Sequence, residues 1–323
     1  MEYRILAGTD LKVSRVCMGT MTFGSQVDEA GSRNMVDRCL DAGVNFFDTA
    51  NSYNKGLSEE IVGNVLAGRR NRVVLASKVF NKMGDGPDDS GLSRGAIHKQ
   101  IEASLKRLKT DYLDIYYLHQ PDYKTPIEET LSAMEDLVKQ GKVRYPGTSN
   151  YAAWQVCQAL WICQKNGWRP PVISQPMYNL LARGIEQEYL PFTREFCVSS
   201  IVYNPLAGGL LTGKQRRETG PIAGSRFDKN QMYLNRYWHE ANFQAVDELA
   251  RIAAGSGRSL VQLSLTWVLQ QPGVDGVLIG ASRMEQLEEN LKAVEGKPLD
   301  QPVLEACDRV WANLRGVTPK YNR

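Results

Sequence analysis

Residues 45–53 read Asn-Phe-Phe-Asp-Thr-Ala-Asn-Ser-Tyr. Asn45, Phe46 and Phe47 form a short apolar run of β-forming character, long enough for a buried strand, and it ends abruptly in Asp48-Thr49-Ala50. A carboxylate therefore stands where a strand meets a loop. Further along, Tyr53 falls in a polar loop with Asn51, Ser52, Asn54, Lys55 and Gly56, so its phenol can face the same mouth as Asp48. Taken alone, the pair reads most simply as an Asp that caps a turn and a Tyr packed beneath it. The reading changes only if other strand ends converge on the same place.

Outward from this stretch the chain alternates short apolar runs with helical windows. Residues 3–13 read as a small β-hairpin turning at Gly8-Thr9-Asp10. Strands are expected over 16–19, 45–48, 72–79, 112–119, 143–149, 172–178, 200–205 and 274–280. Helices are expected over 28–41 and 58–68, through Ile97, Ile101, Leu105 and Leu108, and then over 125–140, 152–166, 185–196, 240–254, 259–270, 282–294 and 300–314. Thr125, Pro126 and Glu128 read as a capping box with proline at the first helical position. Residues 206–238 break the rhythm as a long irregular segment. Eight strands, each followed by a helix, predict an α/β fold of the (β/α)8 TIM-barrel type, one domain over 1–323 with an N-terminal hairpin and extra C-terminal helices. The alternative is an open doubly wound sheet. A dinucleotide-binding sheet of that kind would show GxGxxG after its first strand, and none is present.

The 323 residues carry 39 basic against 36 acidic side chains, a formal net charge of +3, with no block of one sign. Nucleic acid is not an expected partner. The six cysteines lack a CxxC pair and neighbouring histidines, the usage of free thiols in a reducing compartment. The N-terminus has no signal-peptide layout, and the uncharged run 198–213 holds Pro205 and three glycines and is too short for a bilayer. A soluble cytoplasmic protein with no membrane partner is expected.

In a barrel, chemistry belongs at the carboxyl ends of the strands. The polar residues there are Asp48, Lys78, His119, Ser149-Asn150, Gln175 and Tyr203-Asn204, with Gly280 at the last end. Lys78 closes the apolar run LASKV and needs a counter-charge, for which Asp48 is available. Beside a buried ammonium, the Tyr53 phenolate would be favoured and its pKa lowered. His119 on its own reads as a satisfied core histidine. Trp154, Trp161, Trp168, Trp238 and Trp267 read as core or helix-packing residues, with Trp238 also able to line a pocket.

Asp48, Tyr53, Lys78 and His119, in this order and at these strand ends, resemble the catalytic tetrad of the aldo-keto reductases. The resemblance covers essentially the whole chain, through GVNFFDTANSY (43–53), LASKV (75–79), YLDIYYLHQPD (112–122), GTSNY (147–151), YNPLAGGLLTGK (203–214) and GASRMEQLEEN (280–290). SNYAAWQV, KNGW, QPMYN and MYLNRYW are similar to the aflatoxin-aldehyde and succinic-semialdehyde reductase branch. The resemblance implies NADPH as cofactor and reduction of small aldehydes, dicarbonyls or ketones to alcohols, with carboxylated aldehydes such as succinic semialdehyde among the candidates. Tyr53 would then be the general acid, Lys78 held by Asp48 would tune it, and His119 would orient the carbonyl.

The resemblance further implies that Ser149, Asn150 and Gln175 hold the nicotinamide carboxamide and that Tyr203 stacks on the ring. Asn204, Leu206, Gly208, Leu210 and Lys214 match the pyrophosphate loop. Gly280, Ser282, Arg283, Gln286, Glu289 and Asn290 match the adenosine end, and Arg226 a basic residue near the cofactor. Arg236 and Arg323 match arginines that meet an anionic group on the ligand. The chain departs from the branch at Arg283, where a small polar residue is more usual, and at Gly24-Ser25-Gln26, which lacks an arginine the branch can carry. Pro146 replaces a usual aliphatic residue and is expected to bend its strand. The branch tends to dimers, so a homodimer is compatible with the resemblance. Two other classes fit less well: a cofactor-sensing subunit of the channel β-subunit type, and a metal-dependent barrel hydrolase, for which three histidines without HxH supply too few ligands.

Overall fold

The computed structural model describes residues 1–318. Strands β1 (Tyr3–Ile5) and β2 (Lys12–Ser14) pair as an antiparallel hairpin, with Gly8 in its connection at φ +69°. Eight parallel strands then close into a barrel: β3 (Val16–Gly19), β4 (Phe46–Asp48), β5 (Val74–Val79), β6 (Leu113–Leu118), β7 (Val143–Ser149), β8 (Ile173–Gln175), β9 (Ser199–Val202) and β10 (Gly276–Ile279), with β10 pairing back onto β3. The expected (β/α)8 architecture is thus the one observed.

One helix follows each of the first six barrel strands: α1 (Glu29–Asp41), α2 (Leu57–Val65), α3 (Arg94–Leu108), α4 (Ile127–Lys139), α5 (Ala153–Asn166) and α6 (Tyr189–Glu195). Between β9 and β10 lie α7 (Gln231–Tyr237), α8 (Glu240–Gly255) and α9 (Leu260–Gln270); α10 (Met284–Val294) and α11 (Gln301–Arg315) complete the α-helices among the described residues. α11 packs on α8 outside the barrel repeat. Helix α7 falls inside the segment expected to be irregular. It is only seven residues long, and its sequence signal is the cap alone, Asn230, which accepts from the Tyr233 amide.

Strand alternation decides what faces the barrel axis. Cys17, Phe46, Ala76, Ile115, Tyr117, Tyr145, Ile173 and Ile201 form one buried cluster, together with Leu6, Leu11 and Val13 of the hairpin. The hairpin therefore plugs the amino-terminal mouth with its apolar side chains. One two-residue step further along these strands, on the same face, stand Asp48, Lys78, His119, Gln175 and Tyr203, and Ser149 stands two such steps beyond Tyr145. The polar residues are the top layer of the barrel interior. Gly147 belongs to this packing: a Cβ there would lie 2.6 Å from the Tyr117 ring.

Two expectations are corrected. Thr125 does not cap α4; its hydroxyl donates to Asp122 Oδ2 at 2.9 Å, and Pro126 occupies the cap position with no side-chain bond. Asp122 also accepts from the amides of Leu92 and Lys124, so a carboxylate in the preceding turn outcompetes the helix end for the hydroxyl. β7 runs unbroken through Pro146, because the pairing of β7 with β8 starts one residue later, at Gly147 with Ile173, so no ladder bond needs its missing N–H on that side. Trp154 and Trp161 are not core residues: they are 62% and 77% exposed on the outer face of α5, whereas Trp267 is buried as expected.

Candidate active site

The carboxyl mouth of the barrel is organised around one buried ion pair. Lys78 Nζ, with no exposed surface, donates to Asp48 Oδ1, to the Thr49 carbonyl at 2.8 Å and to the Tyr53 hydroxyl at 3.2 Å. All three ammonium protons are therefore used. The register explains the contact, since Asp48 pairs with Ala76 and Lys78 is the next inward residue of β5. Gln175 Nε2 donates to Asp48 Oδ2 at 2.9 Å, and Ser149 Oγ donates to the Gln175 carbonyl at 2.9 Å. A polar chain thus crosses the barrel from β5 to β7.

Tyr53 reaches this pair from the loop after β4. The Asn51 amide donates to the Lys78 carbonyl at 3.2 Å, which ties that loop to the end of β5. Asn54, Lys55 and Gly56 then turn at φ +50°, +56° and +94° into α2. Asn tolerates the left-handed region, and here its amide donates to the carbonyls of Met21 and Phe23 at 3.0 and 2.6 Å. The Tyr53 ring stands edge-on to His119, with centroids 6.1 Å apart and planes at 78°.

The electrostatics follow from burial. Burial pushes the Asp48 carboxyl up against the pull of Lys78. For Lys78 burial acts downward, but Asp48 and Tyr53 outweigh it and its pKa is raised, so it remains an ammonium. Burial raises the Tyr53 phenol above its ordinary value, and the neighbouring Lys78 opposes this without reversing it. The expected lowering of Tyr53 is thus corrected: loss of hydration disfavours the phenolate more than one ammonium favours it. His119 is pushed down to about 3 by burial and then by the Lys78 charge, so its ring is neutral.

The remaining sequence-derived residues divide by what already holds them. Asn150, at φ +61°, donates to the His119 carbonyl at 2.9 Å and accepts from the Tyr203 hydroxyl at 2.7 Å, joining the ends of β6, β7 and β9. Asn204 accepts from the Gly208 amide at 2.6 Å and donates to the Tyr237 hydroxyl at 2.9 Å. Gly208, at φ +69°, lies where a Cβ would come 2.7 Å from the Tyr233 ring. Leu206 is half-buried, but the Leu210 side chain is buried in the main core, leaving only its backbone for a ligand.

At the other rim, the Ser282 amide and hydroxyl donate to Gln286 Oε1 at 2.9 and 3.1 Å, and Asn290 donates to the Gly280 carbonyl at 3.2 Å. Glu289 is half-buried on α10. A cleft of about 480 Å³ opens between residues 25–28 and the turn of Ser282, Arg283 and Met284. Arg226 donates to Met21 Sδ at 2.8 Å, and the guanidinium carbons of Arg226 and Arg236 each lie 5.6 Å from the Tyr233 ring centre. Gln26 Nε2 donates to the Gly224 carbonyl at 2.9 Å, so the segment after β9 lies against the loop after β3. Arg323 is outside the described residues. One residue that sequence reasoning missed stands beside the tetrad: Asn81 Nδ2 lies 3.1 Å from Ser52 Oγ and 3.2 Å from His119 Nδ1. Nothing in the pattern around it marks it, because its loop has no regular spacing.

The sequence profile of the Aldo/keto reductase family matches residues 15–312. The chain belongs to the aldo/keto reductase family. It is 38% identical to aflatoxin B1 aldehyde reductase member 2 of Homo sapiens, over 100% of this chain and 94% of that protein. It is 39% identical to a probable voltage-gated potassium channel subunit beta of Arabidopsis thaliana, over 94% of each. An uncharacterized oxidoreductase of Bacillus subtilis is 38% identical over 99% of both chains. The family and its reductases place this chain among oxidoreductases that reduce carbonyl groups.

Lys214, Arg226, Arg236 and Arg283 have no carboxylate ion-pair partner among the described residues, as is also true of about half of the other arginines. Among the described residues no group of three or more His, Cys, Asp or Glu could hold a metal ion, and no helix is long and apolar enough to cross a membrane.

Proposed function

We propose that this aldo-keto reductase uses NADPH to reduce small aldehydes, dicarbonyls or ketones to alcohols, with Tyr53 as general acid. The observation that carries the reading is the 3.2 Å bond between Lys78 Nζ and the Tyr53 hydroxyl inside a buried, Asp48-neutralised pocket. NADPH, when bound, supplies the hydride that adds to the carbonyl carbon. Tyr53, kept protonated by burial, gives its proton to the carbonyl oxygen as charge grows there. The phenolate left behind is stabilised by the Lys78 ammonium that already touches it. His119, neutral at physiological pH, is a second donor toward the same oxygen and helps to fix its direction.

Arg283 and Ser282 beside the cleft at residues 25–28 support a 2′-phosphate, and so NADPH over NADH. Arg236 supports a carboxylate or other anion on the substrate, as in succinic semialdehyde, but Gly24-Ser25-Gln26 brings no second cation. The relative of Arabidopsis thaliana favours a second reading, a cofactor-bound subunit of a channel-type assembly. The test is NADPH consumption with succinic semialdehyde, 4-nitrobenzaldehyde and methylglyoxal, on the native chain and Tyr53→Phe. The reductase reading expects turnover that falls about 10²- to 10⁴-fold in the variant while NADPH still quenches tryptophan fluorescence in both. Cofactor binding without turnover on any carbonyl would move the assignment to the second reading.

A further inference from the structure

His119 contributes to the reaction above only if a ring nitrogen presents a proton toward the mouth. A neutral imidazole carries one proton, and which nitrogen holds it is set by the partner of the other. The His119 backbone is fixed on both sides, its amide donating to the Val79 carbonyl at 3.0 Å and its carbonyl accepting from Asn150 at 2.9 Å. The ring itself has a single side-chain hydrogen-bond partner among the described residues, the Asn81 amide nitrogen 3.2 Å from Nδ1. That nitrogen has two hydrogens and no acceptor capacity; the other one is taken by Ser52 Oγ at 3.1 Å. Nδ1 must then be the acceptor.

We propose that Asn81 is a positioning residue that holds His119 as the Nε2–H tautomer, so that Nε2 is the nitrogen presenting a proton to the substrate carbonyl. Asn81 is suited to this because its own loop is pinned, with the Gly91 amide donating to the Phe80 carbonyl at 2.7 Å and the Met83 amide to the Asp89 carbonyl at 2.8 Å. Ser52, one residue before the proposed acid, completes the set, so the acid loop and the imidazole are oriented through one amide. A neutral amide is needed: a carboxylate at this position would accept from Nδ1 and draw the proton away from the mouth. Burial and then the Lys78 charge disfavour the doubly protonated form of the ring and leave the tautomer as its remaining freedom.

This inference rests on the reductase reading for its consequence but not for its measurement. Long-range ¹H–¹⁵N correlation spectra of the whole protein, labelled at histidine, report the tautomer of each of its three histidines without turnover. His119 is identified by the signal lost in His119→Asn. The expected result is an Nε2–H ring in the native protein, a mixture of tautomers in Asn81→Ala, and a proton on Nδ1 in Asn81→Asp. In both variants kcat falls about 10- to 100-fold, the range for removing an outer partner that orients a functional histidine, with KM for NADPH unchanged. An Nδ1–H ring in the native protein overturns the proposal by itself, even if neither variant folds. So does an unchanged His119 signal in a folded Asn81→Asp protein. If no carbonyl is turned over but the tautomers move as described, the assignment to Asn81 stands and the reductase reading falls.

Discussion

At the residue scale, the site depends on which groups burial leaves charged. Lys78 stays an ammonium because Asp48 and Tyr53 outweigh its burial, and His119 stays neutral because burial and then the Lys78 charge hold its pKa down. The second fact couples the site to stability. The folded His119 titrates at about 3 against 6.5 for an ordinary histidine, so between these values the unfolded chain binds a proton that the folded one refuses. Its contribution is neutral above about pH 6.5 and becomes destabilising as pH falls from there toward 3. Urea midpoints measured at several pH values should therefore drop less on acidification in His119→Asn than in the native protein. Equal slopes would show that the ring is hydrated well enough to protonate in place. Asp48, Lys78 and His119 were legible as polar strand ends, but their grouping with Tyr53 as a tetrad came from the resemblance to the aldo-keto reductases. The direction of the Tyr53 shift was not legible, because sequence reveals the neighbouring charge but not the depth of burial that opposes it.

At the element scale, strand alternation does most of the positioning. Phe46 and Asp48, Ala76 and Lys78, Tyr117 and His119 are successive inward residues, so the apolar filling of the barrel and its polar mouth belong to the same faces. Gly147 lets the Tyr117 ring fill the axis just below the site. Gly147→Ala would bring a methyl carbon to 2.6 Å from that ring and 2.9 Å from Ile173 Cγ2. The expected cost is about 1–3 kcal/mol, as for an overpacked core, read from urea unfolding, together with reduced turnover as Tyr117 shifts beneath the Lys78 layer. Unchanged stability would mean that the barrel axis has slack. The start of α4 shows the opposite case, where a motif misled: Thr125 and Glu128 have the right spacing for a box, but Asp122, three residues earlier in sequence, reaches the hydroxyl first.

At the scale of the whole molecule, stability and chemistry lie at opposite ends of the barrel. The hairpin seals the amino-terminal mouth with Leu6, fully buried, and is tied down by the Ala7 amide on Ser199 Oγ at 2.8 Å and by Tyr145 on Asp10 at 2.9 Å. Leu6→Ala should cost about 2–5 kcal/mol in unfolding free energy, as for other buried leucines, with turnover per folded molecule unchanged. A parallel loss of kcat would show that strain at the sealed end reaches the tetrad layer, and would contradict the separation. The long segment after β9 works at the other end, where its contacts from Gly224 and Arg226 to the loop after β3 bring two distant stretches over one mouth.

The amino-acid sequence by itself determined the alternation of eight strands and helices, the parity that points each polar strand end inward, and the residue types of the tetrad, because these depend on local period and on side-chain chemistry. It also carried the family likeness across nearly the whole chain. Only the tertiary structure decided which ends touch. The closure of β10 onto β3, the Gln175 amide reaching across the barrel to Asp48, and the Asn81 amide on His119 join residues 38 to 261 positions apart or set in patternless loops. Such contacts leave no spacing to read. They exist because a closed barrel brings every strand end to one ring, where burial then sets the charge state of each group.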